Sequence, residues 1–442
     1  MALRFVDQFA GVGSLSERIF ALRVQDEAGA ILPLEIRGDG LYLFNNGSRS
    51  RRVTISYDMR LGRPLGPSQY ALTSSLGSDG GFLILGDLLP GLCVAEDENC
   101  ETSSVRLQVL TPAGWKITTT ERHNSGFFEI ADPQRAVFFL GNLREKRATV
   151  KTMVFRMAIV GVWGFSDEEV FRIVEAIAHD QDVIIDSVEA GEFLVTLAPF
   201  PLPMTGLRSS AVTIGRTVIL QLSTNDNTAQ SFAHFRRHLA HEMFHFYLPN
   251  SFQIRENFDW FWEGFTRYIA LLTLARLRVI GLREYFDAIG AEYEAYAFNP
   301  LRARVSLIAA SPEKFADKAS YDLVYRKGML VAALYDLELR WQSKGKLCLA
   351  DVIRGLYQNY AKPILEVGNK EVLSELGKLG DFKRAIHDDI EGTQEIEILE
   401  RLKPYGLVVE SSTATQGKVR ISKAAKLTER QRVFLEQLAS EK

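Results

Sequence analysis

Cysteine is scarce in this chain: Cys93, Cys100 and Cys348 are the only 3 in 442 residues, too few for a disulfide framework. Cys93 and Cys100 are close enough in sequence to be bridged across a turn, the alternative being three free thiols, and Cys-x6-Cys without a second pair is not a structural-zinc pattern. An excess of one charge sign is also lacking. The formal net charge of -3 and the absence of a basic stripe give no electrostatic reason to expect a nucleic-acid partner. No apolar run reaches the ~20 residues of a membrane span. The longest in the helical half, Tyr268 to Ala275, is bounded by Arg267 and Arg276, so no membrane-spanning segment is expected. The start, Met1-Ala2-Leu3-Arg4-Phe5, has no basic segment followed by an apolar one. The protein is then either cytoplasmic or, as we favour, periplasmic or secreted after removal of a leader. Internal repeats and low-complexity tracts are missing too.

What is present is the composition of a globular protein of two or three domains, 46% hydrophobic and 24% charged. Residues 1–148 read as β-rich. Short apolar or alternating runs at Ile31 to Ile36, Leu41 to Phe44, Val53 to Tyr57 and Val105 to Val109 are separated by turn signals such as Asp39-Gly40, Asn46-Gly47 and Asp79-Gly80. That spacing predicts a β-sandwich. From Thr149 the pattern changes to a strand through Val154 to Val162, then Ser166-Asp167-Glu168-Glu169, the Ser-x-x-Glu form of a capping box. Val170, Ile173, Val174 and Ile177 then make one helical face, before strands predicted at Val183 to Ile185, Phe193 to Leu197 and Val212 to Leu222. After Asn227 the chain reads as helical, around 229–248, 256–279, 283–296, 319–343 and 349–360. Residues 412–442 are a polar stretch ending in a short amphipathic segment, Thr428 to Leu438, read as a docking helix or a partly ordered tail.

The chemistry is carried by the string His234-x3-His238-x2-His241-Glu242-x2-His245, which contains His-Glu-x-x-His inside a helical stretch. Two histidines four residues apart lie one turn apart on one helix face, so both imidazoles can reach one zinc ion, while Glu242 beside them can take a proton from the attacking water. The plain alternative is a helix with satisfied surface histidines. Against it stands Phe258-Asp259-Trp260-Phe261-Trp262-Glu263-Gly264, which sets Glu263 among bulky apolar side chains, where an acid needs a partner. Hydrolytic zinc sites commonly use three protein ligands and one open position, which makes Glu263 the third ligand of one zinc per chain. His234 and His238 share the face of His241 and His245. They either form a second metal site or, as we favour in the absence of a thiol or carboxylate cluster, support the first. Arg267 is read as a salt-bridge partner of Glu263 or of a nearby acid.

His-Glu-x-x-His followed by a glutamate on the next helix resembles the gluzincin zinc metallopeptidases, and within them the glycyl aminopeptidase family. The stretches that carry the likeness are His238 to His245, Trp262 to Tyr268, and Tyr325-Arg326-Lys327-Gly328 running on to Leu337-Glu338-Leu339-Arg340, with Glu391-Gly392-Thr393 and Tyr405-Gly406-Leu407 near the end. The resemblance covers roughly residues 150 to 411. It implies an α+β chain, an N-terminal β-sandwich followed by a thermolysin-like α/β and helical metallopeptidase domain over 149–411. It also implies a peptide substrate, aminopeptidase action, and a catalytic tyrosine at Tyr325 that donates a hydrogen bond to the oxyanion.

The chain departs from the family pattern in three places. Only 17 residues lie between His245 and Glu263, one fewer than the pattern, a difference the loop from Asn250 to Asn257 can absorb. No Gly-x-Met-Glu-Asn occurs, and Gly206-Leu207-Arg208-Ser209-Ser210 stands where the family has a Gly-Leu-Glu-like edge strand. No PDZ-like module is recognisable after residue 411. Arg208 in place of an acid would repel a substrate ammonium, unless Glu189 or Glu192 grips it instead. The altered segment at Arg208 is the main support for the competing reading, a catalytically inactive or non-peptidase zinc protein that uses the fold for binding. Retention of Glu242 argues against it, since a purely structural site has no use for a base.

Overall fold

The computed structural model describes the chain except residues 10–11, 46–51, 62–72, 94–103, 186–190, 201–208, 225–227, 362–364, 412–418 and 441–442. The protein is of the α+β class, as expected: short antiparallel sheets first, a mixed sheet next, helices last. It divides into two compact units, Met1–Arg172 with Ala190–Leu239, and Ile173–Glu189 with Ala240–Lys442.

In the first unit the early strands form two face-to-face sheet pairings. Leu3, Val24 and Phe44 make the core of one, between the sheet containing Ala2–Arg4 and Leu41–Phe44 and the sheet containing Ile19–Gln25 and Thr54–Met59. The other is built on Val137–Gly141, whose Phe138 meets Phe128 edge-on at 5.0 Å between centroids. Val137 and Phe139, on the opposite face of the same strand, join Ala158, Val160, Leu194 and Ile219 in a further core. A strand buried on both faces reads as an unbroken apolar run, which Val137-Phe138-Phe139-Leu140 is. Of the three cysteines, Cys93 is disulfide-bonded and Cys348 is a free thiol, while Cys100 lies outside the described residues.

The mixed sheet has the order Arg144–Val150, Met153–Ile159, Gly191–Pro199, Thr217–Leu222, Ser209–Ile214, with the two central pairings parallel and the outer two antiparallel. The parallel step from Met153–Ile159 to Gly191–Pro199 passes through the helix Asp167–Ile185, opened by the predicted capping box. There the Ser166 N–H and hydroxyl donate to Glu169 Oε2 at 2.8 Å and the Glu169 N–H donates back to Ser166 Oγ at 3.2 Å.

Two predicted strands are corrected. Val183 to Ile185 is the last turn of that helix, because Ile184 continues the face of Ile177 across Asp180-Gln181-Asp182. Those polar residues do not break the helix, since they find internal partners: Gln181 Nε2 donates to the Ala240 carbonyl at 2.6 Å and Arg276 pairs with Asp180 at 3.0 Å. The run Val212 to Leu222 is a hairpin turning at Gly215-Arg216, with Ser209–Ile214 on the edge of the sheet.

The second unit is helical. Gly264–Arg276, Leu282–Ala297, Gly328–Ser343 and Leu349–Leu356 match the predicted stretches, and Glu429–Ser440 docks Phe434 against Trp341 at 5.3 Å. No helix among the described residues is long and apolar enough to cross a membrane. Asp336, fully buried, joins three of these elements. It accepts from the Tyr268 hydroxyl at 2.7 Å, from Arg340 Nε at 2.7 Å and from the Leu349 N–H at 2.6 Å. Removing one partner of a buried pair leaves the other charge without compensation. Asp336→Ala is accordingly expected to cost about 3–5 kcal/mol of stability, measured as a fall in the denaturant midpoint, and a midpoint within error of wild type would refute the assignment.

Candidate metal centre

The helix Thr228–Phe244 buries Phe235, Leu239 and Met243, spaced by four, which makes a continuous apolar stripe. His241 lies in its last turn. His245 lies just beyond, where the chain tightens to a three-residue repeat in which the His245, Phe246 and Tyr247 N–H groups donate to the carbonyls of Glu242, Met243 and Phe244 at 3.0–3.2 Å. A helix C-terminus favours a nearby cation.

The next element, Asp259–Trp262, runs almost without a break into Gly264–Arg276, with Glu263 at the junction in helical conformation. Trp260, Phe261, Phe265 and Tyr268 are fully buried around it. This brings three donor atoms together. His241 Nε2 lies 3.2 Å from Glu263 Oε2 and 3.1 Å from His245 Nε2, and His245 Nε2 lies 3.5 Å from Glu263 Oε2. Ligands at zinc bond lengths of about 2.0–2.1 Å in a tetrahedron stand roughly 3.3 Å from one another. The observed triangle therefore fits the faces of such a site. His245 Nδ1 donates to the Leu248 carbonyl at 2.8 Å, which turns Nε2 inward, the orientation a ligating histidine requires.

The electrostatics ask for a cation at the same point. Burial opposes a charge on His245, yet the Glu263 carboxylate, with Glu242 behind it, lifts the ring to about 9. Burial likewise opposes ionisation of Glu263, but Lys314 and the two imidazoles hold its carboxyl well below the usual range. Glu242 is buried and has a carboxylate oxygen within 4.8 Å of the His241 and His245 donor nitrogens. The imidazole nitrogens are thus flanked by two carboxylates.

Tyr325 sits in a π-helical turn, Leu323–Lys327, between Lys318–Asp322 and Gly328–Ser343. Such turns recur at functional sites. Its ring lies 6.4 Å from that of His241, and Tyr321 stacks on it at 4.3 Å. Burial and then the Glu263 carboxylate push the phenol well above its ordinary value, so it stays protonated.

The other residues singled out from the sequence are engaged elsewhere. Arg267 pairs with Glu292 at 2.5 Å, not with Glu263, and Arg326 shares that acid at 3.0 Å. His238 Nε2 is 2.8 Å from Ser209 Oγ on the edge strand, and its ring is 6.5 Å from that of His234. Glu192 is bonded to Arg147 and lies 3.2 Å from Arg156. Glu189 and Arg208 lie outside the described residues.

Sequence reasoning missed Lys314, which is buried and lies 3.0 Å from Glu263 Oε1, and the part played by Gly264 and Gly328. A Cβ on Gly264 would stand 2.5 Å from Gly328 Cα, and one on Gly328 would stand 2.6 Å from the Trp260 carbonyl oxygen. The Glu263 helix and the helix that follows Tyr325 thus touch backbone to backbone. Only glycine at both positions permits that approach. Gly264→Ala should destabilise by about 1–3 kcal/mol through overpacking, read as a lower unfolding midpoint, and an unchanged midpoint would show that the contact is loose.

No protein-family model matches the sequence, and no curated protein matches it. Solved structures do. An aminopeptidase N family protein from Idiomarina loihiensis superposes with a TM-score of 0.77 at 17% identity, over 97% of this chain and 77% of that one. An M1 zinc metallopeptidase from Deinococcus radiodurans gives 0.51 at 14% identity, over 90% of this chain and 86% of that one, and a mutant of the same enzyme was solved with a Tyr-Ser-Ala substrate. At these identities the likeness carries the fold alone, and this chain has the fold of those two proteins.

Proposed function

We propose that the chain is a zinc-dependent peptidase in which His241, His245 and Glu263 hold one metal ion, Glu242 is the general base and Tyr325 stabilises the oxyanion. The observation that carries this reading is the triangle of donor atoms with 3.1–3.5 Å sides. Zinc bound there supplies a Lewis acid that polarises the scissile carbonyl and makes water a stronger acid. Glu242 then accepts the proton of the attacking water and passes it to the leaving amine. As the carbonyl oxygen gains charge, the Tyr325 hydroxyl donates a hydrogen bond to it, and its raised pKa keeps that proton in place. The peptide held by the Deinococcus neighbour supports a peptide as the substrate.

Action from the amino terminus is the finer part of the proposal. Glu192, one acid considered for gripping a substrate amine, already serves Arg147 and Arg156, so it is poorly suited to that task. A peptide series with free and acetylated amino termini decides the point. Faster cleavage of the free series supports an aminopeptidase, and indifference to acetylation supports internal cleavage.

Elemental analysis should find one zinc in wild type and little in His241→Ala, His245→Ala or Glu263→Ala. Glu242→Gln should keep zinc and lose about 10²–10⁴-fold in turnover, because an amide cannot accept the proton. Tyr325→Phe should lower kcat more than it raises KM, as expected for a contact made mainly in the transition state. Full zinc content in Glu263→Ala, or wild-type rates in both Glu242→Gln and Tyr325→Phe, would overturn the reading.

A further inference from the structure

Lys314 has no place in the mechanism above, yet it is among the most deeply buried cations of the second unit, 6% exposed. A lysine is tolerated at such depth only when it is paired. Its ammonium lies between two carboxylates, 2.6 Å from Asp259 Oδ2 and 3.0 Å from Glu263 Oε1. The oxygen it takes from Glu263 is the one turned away from the histidines, whose neighbour is Oε2. The backbone fixes this arrangement. The Trp260 N–H donates to Ser311 Oγ at 2.9 Å, and the Lys314 N–H donates to the Ser311 carbonyl at 3.2 Å, so the turn that carries the lysine is tied to the start of the helix that carries Asp259 and Glu263.

We propose that Lys314 is a positioning residue that occupies Glu263 Oε1 and leaves Oε2 as the single oxygen offered to the metal, while Asp259 balances the lysine's charge. This rests on the metal-centre reading above. A carboxylate free at both oxygens can bind a metal through both, which would raise the coordination number and fill the position a substrate or water needs. A lysine facing Glu263 alone would prevent that but would also cancel the charge that draws a divalent cation. With Asp259 as its counter-ion the lysine acts as half of a neutral pair, and Glu263 keeps its negative charge for the metal. The work of holding the ligand is thereby separated from the work of attracting the ion.

Cobalt(II) in place of zinc reports the coordination number through its visible bands, which are intense for four ligands and weaker for five. In the full-length protein, wild type and Lys314→Arg should show four-coordinate bands. Lys314→Met should show the weaker bands of a higher coordination number, and so should the double variant Asp259→Asn/Lys314→Met, which removes both charges and keeps the test valid if the single variant fails to fold. Asp259→Asn, which leaves the lysine to face Glu263 alone, should weaken zinc binding by about 10–100-fold in competition with a chelator. Bands identical to wild type in the methionine variants would overturn the role of Lys314, and unchanged zinc affinity in Asp259→Asn would overturn that of Asp259. His241→Ala separates the two levels of the argument. If it loses cobalt while the lysine variants match wild type, only the positioning role fails, whereas wild-type bands in His241→Ala remove the metal centre itself.

Discussion

Three lone pairs aimed at one point repel one another unless a cation stands between them, and the second unit is organised around holding such an arrangement in place. His245 keeps Nε2 turned toward that point, because Nδ1–H is committed to the Leu248 carbonyl at 2.8 Å. Glu263 cannot swing away, because Lys314 holds its other oxygen at 3.0 Å and its helix is packed on Trp260, Phe261 and Phe265. The helices themselves are fixed by the contact at Gly264 and Gly328 and by Asp336, which binds Tyr268, Arg340 and the start of Leu349–Leu356. A site held by several independent restraints is preorganised before any ligand arrives, and that lowers the reorganisation a reaction must undergo.

How much of this was legible in the sequence follows from the range over which each signal acts. The His-Glu-x-x-His spacing needs only a helix, and the helix is announced by a periodic apolar face. Glu263 announces itself as an acid inside an aromatic run. Both signals are local. Tyr325 is different: reading its segment as a regular helix gives no reason to prefer it over Tyr321, and the π-helical turn that sets it beside His241 leaves no mark in the apolar pattern. Only the family resemblance selected it. Lys314 was invisible because its two partners lie 51 and 55 residues earlier, on another element, and because a lysine in the irregular stretch Ser311 to Asp317 reads as a surface residue.

The error at Val183 to Ile185 has the same root. Asp180-Gln181-Asp182 looks like the end of a helix when its partners are unknown, and the short apolar run behind it then looks like a strand. The carbonyl of Ala240 and the guanidinium of Arg276, both far along the chain, are what make those polar side chains compatible with a buried helix face. The early strands, by contrast, were read correctly at Leu41–Phe44 and nearly so at Thr54–Met59, where alternation is local and one face is covered by a neighbouring sheet.

The stacked pair of tyrosines shows why position in the site, and not residue type, decides which one can serve as the hydrogen-bond donor. Tyr321 and Tyr325 lie 4.3 Å apart with nearly parallel rings, and both phenols are pushed up first by burial and then by the Glu263 carboxylate, so neither loses its proton near neutral pH. Tyr321 is the outer one, 39% exposed. Tyr325 is the one ranged against the His241 ring, at 6.4 Å between centroids. In the proposed mechanism the less exposed donor gives up less solvent when an oxyanion develops beside it than Tyr321 would. The π-helical turn, by advancing Tyr325 into the site while leaving Tyr321 on its rim, therefore separates two otherwise equivalent phenols into a donor and its outer support.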